Sequence, residues 1–331
     1  MIKVVDTTLR DGSHALKHSF SIDQVSSIAK ELDKSGVDII EISHGDGLAG
    51  SSINYGKSHT DEFKLIEAAK KEVKNAEIGV LLIPGIGTIA DLKKAMKAGA
   101  TVVRVATHVT EADVAIEHIK FAKENGMKVI GFLMMIHMAT PEKILEQVRI
   151  FESCDVDAIN LADSAGYLVP SEVREIIRKL KSESKTPIGF HAHNNLGLAV
   201  ANSLAAIEEG VDYIDATCGS LGAGAGNCQL EVLAALMKRL NIVNKLDLKQ
   251  LLKVSDEIVR PLMLRPQQID SAALMLGYAG VYSSFLLHAK KAAEMFDLSV
   301  IEILEELGKR KMVGGQEDMI IDVAYKLKNK V

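Results

Sequence analysis

The chain has 331 residues, more than one average domain but enough for a single α/β barrel of about 250 residues and a smaller unit. A formal charge of −5 gives no reason to expect nucleic acid or an anionic membrane surface as a partner. No apolar run approaches the ~18 residues of a spanning helix, the N-terminus runs straight into a strand pattern rather than a signal peptide, and Cys154, Cys218 and Cys228 show no C-x-x-C spacing. The simplest expectation is a cytoplasmic protein with free thiols.

Along the chain one pattern recurs: a polar helix, a Gly or small-residue turn, then a β-branched strand ending on a polar residue. Strands are predicted at about 2–6, 37–42, 77–83, 101–106, 128–134, 157–162, 187–193 and 211–217. Helical segments fall between them, at about 23–34, 61–74, 89–98, 110–125, 141–153, 170–184 and 198–209. Strand–helix units at this spacing predict a (β/α)8 TIM barrel over residues 1–245. The alternative, a doubly wound sheet, usually has fewer strands and a Gly-rich first turn, whereas the first turn here is R-D-G-S-H. The strand rhythm then stops. Segments at about 247–259, 267–276, 284–296, 299–308 and 316–328 read as helices, so 246–331 is expected to form a small helical C-terminal domain docked near the barrel mouth. The glycine-punctuated stretch Gly277–Tyr282 reads as a bend within it.

Polar residues collect at the predicted C-terminal ends of strands: Asp6, Glu41, Thr107, His108, Asp163, His191, His193 and Thr217. That is the face where barrels of this kind carry their active sites. In F-H-A-H-N (190–194), His191 and His193 are two apart on a strand, so both imidazoles point the same way. They are either a pair of hydrogen-bonded core histidines or two ligands of a divalent metal. Asp11, in D-T-T-L-R-D-G-S-H (6–14), is the natural third ligand, since strands one and seven lie two places apart in a closed barrel. Two nitrogens and an oxygen suit Mn²⁺, Mg²⁺, Co²⁺ or Zn²⁺, and leave positions open for substrate.

Arg10 reads as a barrel-end ion pair or as a fork of donors for a carboxylate or enolate oxygen. His14 reads as a solvated loop histidine or as a base for a hydroxyl proton. The G-S-L-G-A-G-A-G-N loop (219–227) can be a phosphate cradle, a close backbone approach to a bound ligand, or a tight turn. Asn227 is placed to reach the metal or its water, and Cys218 and Cys228 read as small buried side chains. Lys3 and Lys128 lie at strand starts, the wrong face for a Schiff base, which leaves a metal as the electron sink.

The D-T-T-L-R-D-G start, the F-H-A-H-N strand and the G-A-G-A-G-N loop together resemble the metal-dependent pyruvate-lyase-like barrels. That superfamily includes 3-hydroxy-3-methylglutaryl-CoA lyase, the isopropylmalate and homocitrate synthases, and the 4-hydroxy-2-oxovalerate aldolases. The finer resemblance is to the aldolases. The condensing synthases typically read R-D-G-x-Q where this chain has His14, and the L-G-Y-A-G-V-Y-S-S-F-L-L-H-A run (276–289) resembles the aldolases' C-terminal domain. N-C-Q-L-E (227–231) departs from the usual N-A-P-L-E, and H-N-N from the common H-H-N.

The resemblance implies that Asp11, His191 and His193 ligate a metal, usually Mn²⁺, that Arg10 stabilises an enolate, and that His14 is the catalytic base. It implies that Ser164 and Tyr282 complete a substrate-contacting set with Arg10, Asp11 and His191, Tyr282 being preferred over Tyr278. It also implies retro-aldol cleavage of a 4-hydroxy-2-oxo acid, an oligomer, and an acylating acetaldehyde dehydrogenase as partner. Leu81 to Ile83 are expected to wall the aldehyde pocket. The rival readings are a synthase condensing acetyl-CoA with a 2-oxo acid, another C–C lyase of the superfamily, and a non-catalytic scaffold.

Overall fold

The structure, a computed structural model, describes residues 1–329. Eight parallel strands close in sequential order into a barrel. They are β1 (Lys3–Asp6), β2 (Ile39–Glu41), β3 (Glu77–Leu82), β4 (Val102–His108), β5 (Lys128–Met134), β6 (Ala158–Asp163), β7 (Ile188–Ala192) and β8 (Tyr213–Ala216). The seam joins β1 to β8, with Lys3 opposite Tyr213 and Asp6 opposite Ala216. Each strand sits on one of the apolar runs that predict it, because those runs are bounded by turn residues and most carry Val or Ile.

Several of the surrounding helices start at a side-chain cap. Ser21 and Gln24 form a reciprocal capping box for Ile22–Lys34, with bonds of 3.2 and 2.9 Å. The Thr140 hydroxyl caps Pro141–Ser153, whose first-turn proline needs no donor. Each helix buries one stripe, such as Val25, Ile28 and Leu32 of the first, against the outside of the barrel. A further helix, Leu230–Arg239, follows β8 after the glycine-rich loop.

Inside the barrel the side chains stack in layers, two residues apart along each strand. The bottom layer is apolar: Val5, Ile39, Val102, Ile130, Ala158 and Tyr213. Two residues on, Glu41, Arg104, Asn160 and Asp215 form a polar layer that is at most 1% exposed. Leu81, Ala106, Phe132 and Ala162 form an apolar cluster above it. Charge buried at this depth persists only when paired, and it lies directly beneath the barrel mouth.

Leu248–Lys253 continues through a wide helical turn, Val254–Val259, and a tight one, Arg260–Leu262. Leu251, Val254 and Val259 join the barrel's own core. A second core, including Leu276, Phe285, Leu304 and Ile320, belongs to the helices Ser271–Ala279, Phe285–Phe296, Val300–Lys309 and Met319–Asn329. The change of core therefore falls between Val259 and Ala272, later than the end of the strand rhythm. The bend expected over Gly277–Tyr282 is narrower than that: the helix runs on through Ala279 and turns at Gly280, φ 66°. Gly277 lies within the helix, its bare backbone packed on Leu196, whose Cγ would be 2.8 Å from a Cβ there.

Candidate active site

The turn after β1 sets the site. The Asp6 carboxylate accepts both the N–H and the hydroxyl of Thr8, each at 2.9 Å, and folds the chain back across the barrel mouth. Arg10 and Asp11 are thereby buried, and a short helical turn, Gly12–Ala15, brings His14 alongside. From β7, His191 and His193 converge on the same carboxylate oxygen: Asp11 Oδ2 lies 3.9 Å from His191 Nε2 and 3.8 Å from His193 Nε2. One donor atom from each of the three residues falls within 4.8 Å of the others.

This set fits a divalent cation. His191 Nδ1 lies 2.9 Å from Asp215 Oδ2, and a carboxylate only accepts, so Nδ1 carries a proton and Nε2 is the ring atom turned towards Asp11. Burial pushes the His193 imidazole down to about 3, so that ring is neutral and able to ligate. Burial would raise the Asp11 carboxyl, but the Arg10 guanidinium leads the opposing charges and the group is held well below the usual carboxylate range. Its other oxygen accepts from Asn227 Nδ2 at 2.9 Å and Ala223 N–H at 3.1 Å, both in the glycine loop. Asn227 thus orients the carboxylate, while its own Oδ1 is buried without a partner.

Beneath lies the polar layer. Arg104 donates to Glu41 through Nε and Nη2, at 2.6 and 2.8 Å, and to Asp215 through Nη1, at 2.5 Å. Arg10 donates to the same Glu41 at 2.6 Å and to Asp11 at 2.6 Å. Two guanidiniums thus face three carboxylates, an excess of negative charge that a cation would offset. Arg10 Nη2 is buried and has no partner among the described residues, which suits an incoming anion. Sequence reasoning passed over Arg104. The signal was there: an arginine inside V-V-R-V, a strand's apolar run, demands a buried acidic partner.

His14 is 8% exposed, and burial with the nearby Arg10 charge lowers its pKa despite Asp11, so the imidazole is neutral at pH 7. Tyr282 reaches over the mouth beside Met134 and Asp46, whereas Tyr278 is 72% exposed on the surface. Burial raises the Tyr282 phenol, which stays protonated. Ser164 is buried just beyond β6; its Oγ accepts the Met135 N–H at 3.1 Å, and its carbonyl accepts the Ser283 hydroxyl at 2.6 Å. Ile83 and Met134 line a cavity of about 290 Å³ against Tyr282, and Leu81 lies in the apolar cluster below. Cys218 and Cys228 are fully buried, and burial pushes the Cys228 thiol up to about 12, so neither is a nucleophile.

A closed barrel with a two-histidine, one-carboxylate cluster at its C-terminal face defines a class of metal-dependent enzymes, and residues 1–258 match the HMGL-like family. Residues 267–329 match the DmpG-like communication domain. A 4-hydroxy-2-oxovalerate aldolase from Moorella thermoacetica is 54% identical over 99% of this chain and 97% of its own length. One from Geobacillus stearothermophilus is 54% identical over 99% of this chain and 96% of its own. The chain belongs to the 4-hydroxy-2-oxovalerate aldolase family, and is a carbon–carbon lyase. Among solved structures, the carboxyl transferase domain of Rhizobium etli pyruvate carboxylase shares the fold, with a TM-score of 0.84 at 17% identity over 100% of this chain and 60% of that one.

Proposed function

We propose that the chain cleaves 4-hydroxy-2-oxopentanoate between C3 and C4, giving pyruvate and acetaldehyde, with Mn²⁺ held by Asp11, His191 and His193. The observation that carries this reading is the convergence, in one buried mouth, of a ligand set, an unpaired guanidinium nitrogen and a neutral imidazole. A bound divalent ion supplies a Lewis acid that polarises the 2-oxo carbonyl. Arg10 Nη2 donates to the oxygen on which enolate charge develops, and its other donors are fixed by Glu41 and Asp11, so little reorganisation accompanies the reaction. His14 accepts the C4 hydroxyl proton. Tyr282, kept protonated, and Ser164, whose Oγ keeps a proton to give, orient the substrate. The C-terminal unit supports docking of an acylating acetaldehyde dehydrogenase. Among the described residues no helix is long and apolar enough to cross a membrane, and the free cysteines support a reducing cytoplasm.

The test is pyruvate release from 4-hydroxy-2-oxopentanoate by the purified chain, abolished by a chelator and restored by Mn²⁺. His14→Ala is expected to cut turnover ~10²–10⁴-fold while bound metal is retained. Loss of metal with activity would make His14 a ligand instead. Free CoA released from acetyl-CoA and a 2-oxo acid would favour a condensing enzyme.

A further inference from the structure

The loop after β2 carries a carboxylate that none of these roles uses. Asp46 is 4% exposed, yet among the described residues neither of its carboxylate oxygens accepts a hydrogen bond. Oδ1 lies 4.0 Å from His14 Nε2, and Oδ2 lies 3.6 Å from His44 Nδ1. His44 is not its donor: His44 Nδ1 accepts the Asp46 N–H at 3.1 Å, and His44 Nε2 donates to the Gly56 carbonyl at 3.0 Å. Glu62 fixes the loop by accepting the N–H groups of His44 and Ala49 at 3.2 and 2.8 Å. Gly45 passes flat against the His14 ring, where a Cβ would stand 2.5 Å from Nε2. Carboxylate and imidazole are thus held by separate elements across a 4.0 Å gap, too long for a hydrogen bond but short enough for Coulomb attraction between two buried groups once the ring is charged. The carboxylate also borders the cavity lined by Tyr55, Ile83, Tyr282 and Glu317. Burial pushes its pKa up to about 6, so it is largely ionised in neutral solution.

We propose that Asp46 is a positioning residue acting through His14, its carboxylate the counter-charge for the imidazolium formed when His14 takes the C4 hydroxyl proton. The role rests on the aldol-cleavage reading above. In that step the C4 O–H bond breaks and its proton passes to His14. The O–H electron pair becomes the second bond of the aldehyde carbonyl, and the C3–C4 pair moves into the pyruvate enolate. The proton then returns to C3, so none is gained or lost. Before transfer, Asp46 faces a neutral ring; afterwards it faces a cation. Its attraction therefore grows towards the transition state, which is the condition for accelerating the reaction rather than merely binding substrate.

Two substrates separate this role from a structural one. 4-Hydroxy-2-oxopentanoate needs a hydroxyl proton removed; oxaloacetate reaches the same enolate by losing CO₂, with no such proton. Both pass through that enolate and are expected to need the metal ligands and Arg10. Asp46→Asn is expected to lower kcat for cleavage about 10²-fold, in the range of a general-base contribution, with KM and oxaloacetate decarboxylation within about threefold of the wild type and metal content unchanged. Asp46→Glu, which keeps the charge, is expected to recover at least about tenfold of that loss. Equal loss of both reactions, no loss of cleavage, or no recovery in Asp46→Glu overturns the role. A wild-type chain that decarboxylates oxaloacetate but does not cleave the hydroxy acid would instead overturn the aldol reading, and this role with it.

Discussion

Arg104 holds the mouth together from below. It is 1% exposed, lies 4.7 Å beneath the Phe132 ring, and joins the two branches of the site: Glu41, which grips Arg10, and Asp215, which fixes the His191 tautomer. A buried pair adds little net stability while whole, but breaking one strands the partner's charge. Arg104→Met, close in volume, leaves Asp215 with no guanidinium and Glu41 sharing Arg10 with Asp11. The expected cost is about 3–5 kcal/mol of unfolding free energy, read by denaturant titration of the metal-free protein. Metal affinity should fall about 10–100-fold as His191 loses its anchor. Wild-type values in both measurements would show that the layer is redundant. That Asp11, His191 and His193 would meet was readable in the sequence because the pattern is local: two histidines on one side of a strand, and a carboxylate in the turn after another. Arg104 was not, because its partners lie 63 and 111 residues away and only barrel closure brings them to it.

At the level of elements, strands and outer helices were legible because a β-branched run, a capping residue and an apolar stripe each act over a few residues. Which core a helix joins is not encoded that way. The helical stretch at Leu248–Lys253 carries the same kind of apolar stripe as those after it, yet its Leu251 packs with the barrel. The glycine loop after β8 left three readings open, and the structure favours the close approach: its backbone and Asn227 hold Asp11. Gly226, φ 95°, is the pivot, since a Cβ there would sit 1.9 Å from the Ser220 carbonyl oxygen. Gly315 has the same φ, 95°, but a Cβ there meets nothing within 4 Å. Both Ala variants carry about 1–2 kcal/mol of left-handed strain. Only Gly226→Ala must also push the loop aside, taking two donors from Asp11. Metal titration of the pair should show roughly 10–100-fold weaker binding for Gly226→Ala and wild-type binding for Gly315→Ala. Equal affinities would mean that the loop does not set the carboxylate.

At the level of the whole molecule, function depends on how the helical unit is held over the barrel, because Tyr282 arrives from that side. Several hydrogen bonds cross the junction. Ser283 donates to the Ser164 carbonyl at 2.6 Å and accepts from Asn195 at 2.8 Å, and His137 Nε2 donates to the Gly280 carbonyl at 3.1 Å. His137 also stacks on Tyr167, with centroids 4.9 Å apart, and its Nδ1 is buried with no partner. Protonation would place a charge on that nitrogen with nothing to receive it. Burial accordingly pushes the imidazole down to about 4, against ~6.5 in an unfolded chain. A histidine depressed on folding contributes its full stability above the unfolded value and loses it as pH falls towards the folded one. The window is therefore pH 6.5 down to about 4, and the loss approaches about 3 kcal/mol at its lower end. His137→Gln cannot titrate, and its amide can still donate to Gly280. In denaturant titrations across this window, the variant should be less stable than, or level with, the wild type at pH 7 and should gain on it steadily below 6.5. Tyr282-dependent turnover should also decline less on acidification in the variant if the junction opens at His137. Parallel stability curves would place the acid-sensitive contact elsewhere in the molecule.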